Sequence, residues 1–334
     1  MDDRPAQSIA AYRADHFRVI NGANLGDGIA PSDELMLDDI YHLSPVASLA
    51  RLSVIAQAEP PLIIAPDTEI GRAGADLHLD CTLTFMSGDG VTTEALVLVE
   101  TDEDGHIAEV YMLPLAPLEP RLDYALVGID TEAAQRTFAQ IACVSFTRGT
   151  LITMASGAQR GVEDLRPGDR VLTRDHGPQE IRWIGQSTTR ATGAFAPILI
   201  RAGALNNAND LLVSPDHRLF IYQRSDRVGA GRAELLVRAR HLVNGTTILR
   251  QSGGFVDYFQ MLFDHHQIIF AEGIAAESML VDTRTRAVLP KEVTQRLKQL
   301  VPGHSDSAHR EFEVQEALLR RADIAEILRK SSAG

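Results

Sequence analysis

Ser145, Cys143, Ser214, His217 and His266 are among the residues whose types could do chemistry on a carbonyl group. A hydroxyl or thiol can attack a carbonyl carbon, and an imidazole can carry the proton because its pKa lies near neutrality. Cys143 and Ser145 stand two residues apart with Val144 between them, so either could be the attacking group. A thiol is partly ionised at neutral pH, whereas a serine hydroxyl almost never is. Ser145 therefore needs a site that activates it. Plainer readings exist for the same residues. His217 lies among Leu212, Val213, Leu219 and Phe220, where a hydrogen-bonded core histidine would also fit. His265 adjoins His266, and one of the two could simply face solvent. Cys81 and Trp183 read as core residues.

Three stretches of chain must position these groups. The first, over residues 1–140, has short apolar runs such as LARLSVIAQ and EALVLVE between turn-rich pieces. Its spacing and β-branched content predict strands. LHLDCTLTFM and TTEALVLVET around Ser87-Gly88-Asp89-Gly90 read as a hairpin, and Thr131–Ala139 as a short helix. The second stretch, 141–281, shows short strands broken by Gly and Pro, which argues for an all-β barrel or sandwich. The third, 282–334, carries apolar residues at helical spacing in PKEVTQRLKQLV and HREFEVQEALLRRADIAEILRK. Ser305 or Asp306 suits an N-cap there, and the final KSSAG should fray. The expected fold is mainly β, with a β-rich N-terminal domain, an all-β domain and a short helical tail.

Four segments of the middle stretch occur in a telling order. Ser145-Phe146-Thr147-Arg148-Gly149-Thr150-Leu151-Ile152 places a nucleophile before Phe, then Gly-Thr and a strand. Gly161-Val162-Glu163-Asp164-Leu165-Arg166-Pro167-Gly168-Asp169-Arg170-Val171-Leu172 follows. Then come Leu212-Val213-Ser214-Pro215-Asp216-His217 and His266-Gln267-Ile268-Ile269-Phe270-Ala271-Glu272-Gly273-Ile274. Together they resemble the Hedgehog/intein (Hint) family, in its bacterial Hint-domain subgroup. The resemblance implies an intein-like horseshoe barrel of curved strands, with the nucleophile and a histidine near its centre.

The resemblance also implies a reaction. Hint processing opens with a side-chain thiol or hydroxyl attacking the carbonyl just before it, turning an amide into an ester or thioester. The amide is protected by resonance and must be distorted or protonated first. Family roles would put the proton-supplying histidine at His217, a hydrogen bond near the scissile unit at Ser214, and later assistance at His266. Alignment through Phe146 favours Ser145 as nucleophile, cutting Val144–Ser145. A slip of two residues would put Cys143 there and the cut at Ala142–Cys143. The family's terminal His-Asn pair corresponds to Glu277-Ser278 here, and the acidic residue after the upstream Tyr to Phe259 beyond Tyr258. Full splicing is therefore not expected. One cleavage or acyl transfer is, with the chain's own N-terminal segment as substrate and water or a small nucleophile as acceptor. The rival reading is a silent Hint fold serving as a structural or interaction module.

Charge narrows the partners. Seven Lys/Arg stand against 24 Asp/Glu before Cys143, about −17, which leaves the rest near +4 of the net −13. Such an acidic segment repels phosphate backbones, so nucleic acid is not an expected partner. With only two cysteines, Cys81 and Cys143, no disulfide scaffold is needed to hold the fold. No cofactor or metal site is expected: the acidic surface reads as solvated, with weak, diffuse calcium binding as the lesser reading, which no EF-hand loop supports. No apolar run is long enough for a membrane span, and the N-terminus lacks a secretory-signal pattern. Export without a cleaved signal stays open.

Overall fold

In the computed structural model, residues 6–55, 57, 60–281, 285, 289, 312, 314, 316–319 and 323–333 are described. The chain forms two compact units, Met1–Ala142 with Asp282–Ala287, and Cys143–Val281 with Val288–Gly334. Both are built mainly from antiparallel strands.

The first unit is a nine-stranded sheet that closes on itself. The ring runs through Asp76–Ser87, Leu62–Ile64, Ala50–Ile55, Ala6–Arg13, Ile107–Pro114 and Thr92–Thr101, and Thr92–Thr101 pairs back to Asp76–Ser87. A register shift between Leu79 and Thr82 bends the long strand Asp76–Ser87. Bulges of this kind give a sheet the curvature it needs to close. The far half of that strand also carries Asp123–Asp130, Ile40–Leu43 and Phe17–Asn21. The expected hairpin is present, with Ser87 Oγ donating to the Asp89 carboxylate in its turn. Phe17, Tyr41, Phe85 and Tyr124 form an aromatic cluster in the core, with Phe17 and Tyr41 stacked 5.3 Å apart. The helix spans Ala134–Ala142, later than its expected start at Thr131. Residues 131–133 form a turn that leads into it, with Asp130 Oδ1 accepting the N–H groups of Glu132 and Ala133 as an N-cap would.

The second unit holds two sheets. One has six strands in the order Trp183–Arg190, Phe255–Leu262, Phe146–Thr147, Leu211–Val213, Ile198–Ile200 and Ile248–Arg250. The other has eight, running Gln159–Gly161, Leu151–Thr153, Ile268–Ala271, Ile274–Glu277, Arg218–Tyr222 and Glu234–Arg238, with Arg170–Thr173 and Gly177–Glu180 joined through Ile268–Ala271. Phe146, Ile198, Val213, Leu219, Val237, Phe259 and Ile269 belong to one buried core. The C-terminal helices are Glu316–Leu319 and Ile324–Ala333. Leu319, Ile324, Ala325 and Leu328 join the same core. The fraying expected after Lys330 is not seen up to Ala333. Ser331 Oγ donates to the Ile327 carbonyl, and the Arg224 N–H donates to the Ser331 carbonyl. The helix read over 290–301 and the caps at Ser305 or Asp306 lie outside the described residues.

Candidate functional site

Register alone brings two of the expected site residues, Ser145 and Ser214, together with a third polar residue. Phe146 pairs with Val213 on one side and Phe259 on the other. The residue before Phe146 therefore faces the residue after Val213 and the residue after Phe259. Those are Ser214 and Gln260, and both bond to Ser145.

Ser145 is held at every polar atom, and it is almost wholly buried. Its N–H donates to Ser214 Oγ at 3.0 Å, and its carbonyl accepts the Ser214 N–H at 3.0 Å. His217 Nδ1 lies 3.0 Å from the same carbonyl. A carbonyl only accepts, so the Nδ1 proton sits on that nitrogen and Nε2 carries the lone pair. Gln260 Nε2 donates to Ser145 Oγ at 2.8 Å. The hydroxyl in turn reaches the Cys143 carbonyl only at 3.5 Å, the outer limit of a hydrogen bond. Ser214 Oγ donates to that carbonyl at 3.2 Å.

The turn that carries His217 has local causes. Pro215 presets the second position, and the His217 N–H closes the turn onto the Ser214 carbonyl at 3.0 Å. Asp216 is braced by Arg240 at 2.9 Å and Arg238 at 3.3 Å, and the Arg240 N–H binds the Pro215 carbonyl. The His217 ring meets Phe146 edge-on at 4.4 Å. Burial pushes its pKa down to about 4, against weaker upward pulls from the Ser145 carbonyl and Glu277. The imidazole is thus neutral at pH 7.

His266 takes a different partner. Its Nε2 lies 3.2 Å from the Glu277 carboxylate, whose other oxygen accepts Arg218 Nε. All three are buried. Burial alone would raise the Glu277 carboxyl. The Arg218 guanidinium, then His266, outweigh it and hold it down to about 2. The structure therefore gathers Cys143, Ser145, Ser214 and His217 in one hydrogen-bonded group and pairs His266 with Glu277. The Cys143 side chain packs with Leu262, Met279 and Leu289, so in this group the residue takes part through its carbonyl.

Gln260 was not found by sequence reasoning. The position that corresponds to the family's acidic residue is Phe259, which faces the core. Alternation along Phe255–Leu262 puts Gln260 on the opposite face from Phe259. The signal in the sequence is a lone polar residue inside the apolar run Tyr258-Phe259-Gln260-Met261-Leu262-Phe263.

Metal-ligand geometry is scarce. Among the described residues, Asp102, Asp104 and His106 bring ligand atoms within 4.8 Å, all of them exposed. Asp102 already accepts the N–H groups of Asp104 and His106, which accounts for the cluster as a turn.

Residues 144–283 match a family model described as a Hint domain. Two solved structures are similar to part of the chain. One is the gp41-1 intein, at 11% identity and a TM-score of 0.26, covering 40% of this chain and 97% of that one. Another is a variant of the Ssp DnaB mini-intein, at 9% identity and 0.27, covering 41% and 95%. A search of curated proteins gives no match.

Proposed function

From the Hint domain that residues 144–283 form, we infer that the chain processes itself once, at Val144–Ser145, by an N→O acyl shift. Ser145 Oγ bonds to the Val144 carbonyl carbon, the bond from that carbon to the Ser145 nitrogen breaks, and the hydroxyl proton ends on the nitrogen. Water or a small nucleophile then takes the acyl group from the ester. The observation that carries this reading is the clamp on Ser145. Ser214 holds its N–H and its carbonyl, while His217 holds the carbonyl as well. Fixing both sides of one residue orients the hydroxyl and the scissile nitrogen before reaction. A cut at Val144–Ser145 severs no strand of either unit.

The pieces also set the pace. His217 is neutral and aimed at the carbonyl beyond the scissile nitrogen, so it is no ready imidazolium donor. Ser145 is 2% exposed, so an acceptor reaches the ester only when the site opens. Slow cleavage is expected, faster with a strong nucleophile.

The test is to incubate the intact chain with hydroxylamine or a thiol and weigh the products. Masses for residues 1–144 and 145–334 are expected. Ser145→Ala should abolish them and Cys143→Ala should not. The reverse pattern would move the cut to Ala142–Cys143. One intact mass under all conditions would sink the reading.

That last result would favour a Hint fold kept as a structural module. The observation on its side is Glu277, locked between Arg218 and His266 where the family resemblance puts the terminal His-Asn pair.

A further inference from the structure

We propose that Gln260 is the group that polarises the Ser145 hydroxyl, and that Gly185 is the seat that lets it do so. The inference rests on Ser145 being the reacting residue. Gln260 Nε2 donates to Ser145 Oγ at 2.8 Å, whereas the only other hydrogen bond of that oxygen among the described residues is the 3.5 Å contact with Cys143. The contact is buried and comes from cross-strand register, so the side chain has little freedom to leave it.

Gly185 pairs directly with Gln260 across the strands Trp183–Arg190 and Phe255–Leu262. A Cβ added there would lie 2.6 Å from Gln260 Oε1, and 2.1 Å and 2.8 Å from two carbons of the Trp183 indole. None of those approaches is tolerable, so any larger residue must push the carboxamide or the indole aside. Glycine is needed here for space alone. The Gln260 oxygen and the Trp183 ring together fill the volume a side chain would take.

The chemistry follows from what an amide N–H can do. It donates to oxygen and takes no proton. As Oγ gives up its hydrogen and attacks the Val144 carbonyl carbon, negative charge gathers on Oγ and the donor stabilises it. The same donor serves again when the ester breaks and Oγ leaves with the electron pair. A carboxamide has no pKa in the working range, so this help does not switch off between about pH 5 and pH 9. A carboxylate at the same position would repel the developing charge.

The test needs no cleavage. In a chain carrying Cys81→Ala and Cys143→Ala, Ser145→Cys leaves one thiol, and its ionisation can be followed by thiolate absorbance against pH. A donor aimed at the sulfur favours the thiolate. Gln260→Leu, close in shape but without the donor, should raise the midpoint by about one pH unit, a tenfold loss of thiolate. Gly185→Ala should shift it the same way, and Gln260→Glu should raise it further. Equal midpoints with and without the Gln260→Leu substitution, with matching circular dichroism, would overturn the proposal. Should the cysteine chain cleave, Gln260→Leu should slow it at least about tenfold, and an unchanged rate would count against the proposal equally. Absence of cleavage in the serine chain bears on the self-processing reading alone, because the thiolate midpoint answers separately.

Discussion

Burying His217 uncharged ties the stability of the second unit to pH. The imidazole titrates near 6.5 when unfolded and near 4 when folded. Its contribution is fully present above pH 6.5 and is lost as pH falls toward 4, on the order of 3 kcal/mol in all. Glu277 acts in the same direction lower down, over the window from 4.5 to about 2. Urea unfolding of the second unit should therefore move to lower midpoints between pH 6.5 and 4.5. His217→Gln should flatten that slope even though it lowers the midpoint at pH 7. A wild-type midpoint constant across the window would contradict the burial argument. The Arg218–Glu277 pair gives a separate test. Arg218→Met leaves a carboxylate buried with less compensation and should cost about 3–5 kcal/mol. Adding Glu277→Leu should recover most of that, because it removes the stranded charge. Of these residues, Ser145, Ser214 and His217 stood out in the sequence because each sits inside a motif. Gln260 and Arg218 did not, since what each one does is decided by a partner far away in the chain.

At the scale of elements, the hairpin of Ile268–Ala271 and Ile274–Glu277 shows how a motif can be readable and its reason hidden. Its two-residue loop, Glu272-Gly273, has positive φ at both positions, +48° and +79°. That geometry favours Asn-Gly, and a glutamate there is strained. The strain is offset by contacts. Glu272 accepts the Leu151 N–H at 2.7 Å and Asn209 Nδ2 at 2.8 Å. Glu272→Asn should ease the backbone yet lose that reach, for a net loss of about 1–2 kcal/mol in urea unfolding. Equal or greater stability would show that the turn outweighs the contacts. The same division runs through the chain. The alternating strands, the hairpin around Ser87–Asp89 and the mainly β character were visible in local pattern. The start of the helix at Ala134 was not, because residues 131–133 carry the same local pattern yet form a turn ahead of it. Nor was the closure of the first sheet, which depends on one register shift at Leu79–Thr82.

Across the whole molecule, Val314, Leu319, Ile324, Ala325 and Leu328, beyond the family-like segment, form part of the core of the second unit. Leu328 is fully buried there, and Phe312 packs on Phe220 at 5.4 Å. Leu328→Ala should cost about 2–4 kcal/mol in that unit's unfolding transition and leave the other unit's transition in place. A loss below about 0.5 kcal/mol would mean that the helix merely rests on the surface. The closed ring of the first unit has its own consequence. A sheet with free ends offers unpaired backbone to any passing strand, the usual route to aggregation. In the ring itself no strand is terminal, and the outlying strand Phe17–Asn21 is already engaged by its own loop, where the Val19 N–H meets the Asp27 carbonyl and the Gly26 N–H meets the Val19 carbonyl. Were the chain cut at Val144–Ser145, the strongly acidic N-terminal piece would keep that closed ring of strands intact.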